Sequence, residues 1–355
     1  MRQGAKREAE RLVSCVSIFS GAGGLDVGAA NAGVNVVACV ENDPDSAQTL
    51  RQNAHTEGAV VLEQDIKEID FSQFADLNPS ILIGGPPCQP FSKNGYWVKN
   101  DNRLVQKDPR NLLGQFLRAV TEMQPTSFIF ENVESILHPT NKDEFFRFIH
   151  NAEAIGYRCT QFRSNAAEFG VPQKRKRVFV FGVRGGSSAL PLPRPTHSDH
   201  SRKDADLSLP NFVGVGKFIA DFDTPQLAEP QEDASAGTYY PELIHVPAGK
   251  NYIALGKLEN YEGRTFRPGG RFWNFLHKLH PDLPSITIAA QPGPWVGPFH
   301  WTNRRLRVPE IAAIQTFPED YRFAGNRRSI QKQIGNAVPC LLGQRMVEHL
   351  LEHAL

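Results

Sequence analysis

The sequence predicts an α/β protein with a largely parallel sheet and a smaller, irregular second domain, and three observations carry that expectation. Short apolar runs alternate with helical stretches through the first half of the chain. Each run ends in residues of polar or special chemistry: SGAGG, ENDPD, GGPPC and ENVES. Composition then changes after Arg184, where residues 185–204 read GGSSALPLPRPTHSDHSRKD, rich in Gly, Pro and Ser as a linker or domain entrance is.

Taken in order, residues 16–19, 34–40, 80–83 and 128–130 are the strand candidates, and a third strand would end just before Asp65 in EQDI. A further run, 178–183, follows QKR and adds another strand. In open α/β sheets ligands bind outside the carboxyl ends of the strands, so the polar endings should converge. The hundred or so residues after 204 carry many Pro, Gly and aromatic residues with weak strand signals, which reads as the second domain. Near the end Pro339 opens a helix whose Leu342, Met346 and Leu350 are spaced four apart and backed by Val347 and Leu351, a stripe for packing on the first domain.

A length of 355 residues suits two domains. The apolar (40%), charged (22%) and aromatic (10%) fractions are those of a soluble globular protein. No apolar run approaches the ~20 residues needed to cross a bilayer, so no membrane role is expected. Residues 1–19 lack the long apolar region of a secretory signal, which leads to the expectation of a cytoplasmic, nucleoid-associated protein. Five scattered cysteines (Cys15, Cys39, Cys88, Cys159, Cys340), odd in number and without a CxxC pair, argue against a disulfide framework and a zinc site. No metal centre is expected.

A net charge of +1 offers no composition-level case for nucleic acid. Basic residues nevertheless gather in QKRKR (173–177), RTFRPGGR (264–271), NRRLR (303–307) and RRSIQK (327–332). Each alone is what a solvated face provides. Four in the later half make a candidate binding surface.

The stretch FSGAGGLDVGAANAG (19–33) follows a strand and opens a helix, a context in which a glycine-rich turn lets a ligand approach the backbone. Its spacing is not GxGxxG, because Asp26 stands in the third glycine's place, which counts against a pyrophosphate cofactor. Glu41 ends the second strand about 20 residues on, where an acid can accept ribose hydroxyls. Asp65 could contact the adenine. Taken singly, these are also ordinary turn glycines and solvent-facing acids; their recurrence at successive strand ends favours a ligand.

Most free cysteines are buried, inert small hydrophobes, and Cys15, Cys39 and Cys159 fit that description. Cys88 differs, since the prolines of GGPPCQPFS (84–92) stand on both sides and would fix the loop, as an aimed nucleophile requires. A thiol attacks as the thiolate, so it or its target must be activated. Glu131 and Asn132 end one strand, and Arg175 and Arg177 precede another. A carboxylic acid that donates to a ring nitrogen and a guanidinium that holds a carbonyl oxygen are what an electron-poor heterocycle under conjugate attack needs.

With these residues in view, the chain resembles the cytosine-C5 DNA methyltransferases. The likeness rests on FSGAGG (19–24), GGPPCQPFS (84–92), ENV (131–133), QKRKR (173–177) and QIGNAVP (333–339), in the family's order and at its separations. The resemblance implies a Rossmann-like S-adenosylmethionine-dependent fold formed by residues 1–185 and 326–355, with a target-recognition domain and hinge at 186–325. It implies that Cys88 adds to C6 of cytosine and that Glu131 serves N3. Arg177 would hold O2, with Arg175 and Asn132 in support. For S-adenosylmethionine it implies a site of Phe19, Ser20, Gly21, Gly23, Gly24, Glu41, Asp65, Ile66, Pro86, Asn336 and Ala337. Asn42 is a departure, standing where many relatives carry a large side chain under the adenine.

The resemblance further implies double-stranded DNA as partner, a flipped target base, a monomer, and in a restriction-modification pair an endonuclease acting on the same site. Residues 92–110 would close over DNA, and RTFRPGGR would enter the major groove. A tRNA-directed relative would carry a Cys-Phe-Thr motif in the later half, which is not found. A catalytically dead homologue would lack the nucleophile or the acid, and a nicotinamide dehydrogenase leaves PPCQPFS and ENV unexplained.

Overall fold

The computed structural model describes residues 13–77, 79–87, 112–257 and 272–355. Its centre is a seven-stranded sheet in the order β3-β2-β1-β4-β5-β8-β6. The parallel part comprises β1 (Ser14–Ile18), β2 (Asn35–Glu41), β3 (Val60–Glu63), β4 (Ile81–Gly84) and β5 (Ser127–Val133). Strands buried on both faces read as continuous apolar runs, and β1, β4 and β5 do so because helices cover both sides. The expected strands are all present: β2 and β4 are shifted by one residue at unchanged length, and the others reach one to four residues further than expected.

The crossover helices are α1 (Gly24–Asn31), α2 (Pro44–Arg51), α3 (Leu113–Met123) and α4 (Lys142–Ala154). On one face of the sheet Phe116, Phe128, Phe130, Phe148 and Tyr157 form an aromatic core. On the other, Leu25 and Ala29 of α1 meet Leu342, Met346, Val347 and Leu350, the stripe expected from the sequence.

Two strands depart from the parallel expectation. Residues 157–165 form β6 (Tyr157–Asn165) and 176–184 form β8 (Lys176–Arg184), and β8 inserts antiparallel between β5 and β6. A strand that returns directly from β6 through a short turn needs no crossover helix, so it must run antiparallel. Within that turn β7 (Gln173–Lys174) pairs with β9 (Ser285–Ile286), which ties this part of the sheet to the later half of the chain.

The later half carries α5 (Gly216–Ile219), α6 (Tyr240–Leu243) and α7 (Val308–Ile314), followed by α8 (Arg327–Asn336) and α9 (Cys340–Ala354). Leu243, Val246, Tyr252, Leu276, Trp295 and Phe299 form a small core of their own. Ile311, Ile314 and Phe317, by contrast, share a core with Ala22, Val27 and Ile334, and Tyr321 Oη donates to the Ala22 carbonyl at 2.6 Å. Residues 308–321 thus lean on the glycine turn after β1. Asp223, His300 and Glu310 cluster as metal ligands could. The Arg304 guanidinium already bridges their carboxylates, at 2.7 Å from Asp223 and 2.6 Å from Glu310.

Candidate active site

The carboxyl ends of β1, β2, β4 and β5 open into one cavity of about 660 Å³. Its floor is the turn after β1, where Phe19 (φ 54°) and Gly21 (φ 55°) both take left-handed backbone. A Cβ added at Gly21 would meet no atom within 4 Å, so the turn presents bare backbone to the space. Glu41 fixes the turn: Oε2 accepts from the Gly21 amide at 2.7 Å and Oε1 from the Asp43 amide at 2.8 Å. Burial outweighs these donors and lifts its carboxyl above the usual range. Asp65 and Ile66 line the same wall, where Asp65 Oδ1 caps the turn over Ile66–Glu68 by accepting from the Lys67 amide at 3.0 Å. Ser20, Gly24, Pro86, Asn336 and Ala337 also line it, as does Asn42.

Gly23, expected among the cofactor residues, packs behind the turn. It is not on the cavity wall, and with φ 75° its added Cβ would lie 2.7 Å from His55 Nε2 and 2.9 Å from Leu50. Close packing explains this glycine. The wall also includes residues the sequence reading did not assign. Asp43 meets Lys332 across the rim at 2.7 Å, a pair separated by 289 positions in the chain. Asp26 is fully buried beneath the turn, and burial, eased by the Ser17 hydroxyl and the Cys39 thiol, raises its carboxyl to about 6.

The reactive end lies where β4 runs into Gly84, Gly85, Pro86 and Pro87. Cys88, expected to be the nucleophile, is outside the described residues, as are the expected 92–110 loop and RTFRPGGR. Beside these prolines Glu131 Oε1 receives Arg177 Nε at 2.8 Å, both side chains being about a tenth exposed. Register explains the meeting, since β5 and β8 pair antiparallel with Glu131 opposite Phe179 and Val133 opposite Arg177. A Cβ on Gly85 would stand 2.6 Å from Glu131 Oε2, so only glycine lets the proline loop approach the acid. Burial holds the Glu131 carboxyl above its usual range despite the nearby Arg177 and Arg175. Asn132 donates from Nδ2 to the Pro86 carbonyl at 3.2 Å and accepts from the Val133 amide at 2.9 Å, which fastens the proline loop to β5.

Arg175, expected to support Arg177, lines the same cavity. It is 1% exposed, and its guanidinium donates to the carbonyls of Gly335 (2.8 Å), Ala337 (3.0 Å) and Ile288 (3.3 Å). It positions the α8–α9 junction, which forms a cavity wall. Gln173 assists from two residues upstream, donating to Gln315 Oε1 at 2.8 Å, and Gln315 in turn donates to the Ile334 carbonyl at 2.6 Å.

A mostly parallel, Rossmann-like sheet with an acid-fixed glycine turn on one side of a cavity and a buried carboxyl group on the other is the architecture of an α/β enzyme that binds a nucleoside-type cofactor at its strand ends. The profile of the C-5 cytosine-specific DNA methylases matches residues 13–352. The chain belongs to that family and is a DNA cytosine-5 methyltransferase. It is 38% identical to Type II methyltransferase M.SacI of Streptomyces achromogenes, over 95% of this chain and 92% of that one. With Type II methyltransferase M1.HphI of Haemophilus parahaemolyticus it shares 31% identity over 96% and 88%. Among solved structures it superposes on DNMT2 of Spodoptera frugiperda with a TM-score of 0.63 at 16% identity, covering 96% and 99%, a likeness of fold. Family and fold imply S-adenosylmethionine as cofactor.

Proposed function

We propose that the protein methylates C5 of a cytosine flipped out of a specific duplex site, through a covalent bond between Cys88 and C6. The observation that carries this reading is the buried Glu131–Arg177 pair facing the Gly85–Pro86–Pro87 wall. A base seated there would find a proton donor for N3 in Glu131 and a guanidinium for O2 in Arg177. The Cys88 thiolate, one residue beyond Pro87, adds to C6 as Glu131 delivers its proton to N3, so C5 becomes nucleophilic. S-adenosylmethionine supplies the methyl group that C5 accepts. Loss of the C5 proton to a base, departure of the thiolate from C6 and return of the N3 proton to Glu131 complete the cycle. None of these ring atoms can be reached in stacked duplex, so the base must leave the helix.

The cavity suits the cofactor in size, since small-molecule sites run from about 300 to 1,000 Å³. Phe19, Ser20 and Gly21 would offer backbone, and Glu41 keeps lone pairs on both oxygens for ribose hydroxyls. Asp65 and Ile66 would flank the adenine, with Pro86, Asn336 and Ala337 closing the other side. Residues 1–185 and 326–355 form the catalytic domain, and residues within 186–325 read the target sequence. The protein acts as a monomer in the cytoplasm, on the nucleoid, as the modification partner of an endonuclease of the same specificity. Among the described residues no helix is long and apolar enough to cross a membrane. Bisulfite sequencing of DNA from cells that express the protein tests the reading. One protected cytosine in a fixed sequence is expected, and uniformly converted DNA would overturn it.

A further inference from the structure

A second cleft, of about 1100 Å³, adjoins the first, and Val133 and Arg177 line both. Arg177 therefore stands on the rim between the pocket that would hold the base and this outer cleft. A nucleotide cannot be flipped without carrying its sugar and adjoining phosphates to that rim.

The cleft's charges are not equally available. Its acids are committed locally: Asp199 to Lys174 at 3.0 Å, Asp204 to Arg202 at 2.7 Å, and Asp206 to the Ser208 amide and hydroxyl at 2.9 and 2.6 Å. Glu168 closes a capping box with Asn165. The two cations left over are Lys176 and Arg194. Lys176 is 65% exposed, and its carboxylate neighbour Glu134 is 4.0 Å away. Arg194 is exposed on the cleft wall, and no ion pair engages it among the described residues.

Arg194 is also held in place. It lies between Pro193, which is buried, and Pro195. The next two amides, of Thr196 and His197, both donate to the Glu168 carbonyl, at 2.8 and 3.0 Å. Two fixed φ angles and this anchor hold its backbone before any ligand arrives, which reduces the entropy lost on binding. A freely exposed arginine in a linker would need none of this.

We propose that this cleft seats the phosphodiester adjoining the flipped nucleotide, with Lys176 and Arg194 as its cationic ligands. The proposal rests on the DNA reading above and adds to it two residues that position the strand.

The test uses the full chain, S-adenosylhomocysteine and a duplex carrying the site found by bisulfite mapping, with affinity read by fluorescence anisotropy across a salt series. Each of Lys176→Gln and Arg194→Gln should lower the slope of log affinity against log salt by about 0.9 on the target duplex, where a nucleotide is flipped. S-adenosylhomocysteine affinity, measured by calorimetry, should stay at the wild-type value and shows that the variants are folded. A neutral methylphosphonate next to the target cytosine should weaken wild type and cost Arg194→Gln no further affinity. Full slopes in both variants, or additive losses from methylphosphonate and substitution at every position, would overturn the assignment. Failure of the wild-type protein to bind any duplex at low salt would instead remove the DNA reading on which it stands.

Discussion

Glu131 on β5 and Arg177 on β8 meet at 2.8 Å across adjacent antiparallel strands, so the acid and its cation are set by sheet register rather than by loop conformation. With 5-fluorocytosine at the target position the C5 substituent cannot leave as a cation, so wild type should accumulate a denaturation-resistant adduct. Glu131→Gln should form it about 10²–10⁴-fold more slowly, since an amide cannot deliver a proton to N3. The ratio of the two rates should shrink as pH rises through Glu131's raised pKa, because its protonated fraction is lost there. Trapping by Glu131→Gln at the wild-type rate would refute the role.

Arg175 should behave as a support for the fold. Arg175→Ala leaves three buried carbonyls, of Ile288, Gly335 and Ala337, without their charged donor, and should lower stability by on the order of 3 kcal/mol. Arg175→Lys should restore little, because one ammonium cannot span the three acceptors a planar fork reaches. A urea midpoint unchanged from wild type in Arg175→Ala would contradict this.

For the cofactor wall, Asp65→Ala should weaken S-adenosylmethionine binding by about 1.5–3 kcal/mol, the range of a hydrogen bond to a charged acceptor. The unliganded protein should lose only about 1 kcal/mol, from the cap on the Ile66–Glu68 turn. Equal calorimetric affinities for wild type and variant would take Asp65 out of the site.

Asp26 ties stability to pH. Its carboxyl is raised to about 6 in the fold, so the native state holds the proton more tightly than the unfolded chain does. The stabilisation is complete at acid pH and lost as pH rises through 6. Unfolding free energies of wild type minus Asp26→Asn should therefore fall by on the order of 3 kcal/mol between pH 4 and 8. Buried histidines such as His55 and His277, both lowered to about 4, drive the opposite trend but cancel in the difference. A pH-independent difference would show that Asp26 does not titrate in this way.

The parallel strands were legible because burial on both faces leaves continuous apolar runs such as Ile81-Leu82-Ile83. β6 was not, since at a sheet edge only Tyr157, Thr160 and Ser164 of YRCTQFRSN are buried, and its Arg, Thr, Gln and Ser residues leave no such run. In the site, Glu41 and Glu131 could be found from their places at strand ends. Arg175 and Arg177 could not be told apart, because two positions along an extended chain look alike while their partners lie 160 and 46 residues away. Gly23 is ambiguous for a related reason: a glycine packed against His55 and Leu50 reads the same as one that faces a ligand. The Asp43–Lys332 contact leaves no local pattern at all.

The far end of the chain is fastened to the elements of its first half by side chains. Lys332 reaches Asp43, Gln333 accepts from Thr49 at 2.6 Å, Arg175 grips Gly335, and α9 lies in the same core as α1. Peptide continuity through residues 186–307 is then dispensable for holding these pieces together once folded. A protease nick there should leave a particle that elutes as one species. The coding sequence should tolerate division at such a point into two co-expressed fragments that rejoin, each contributing one wall of a single binding site.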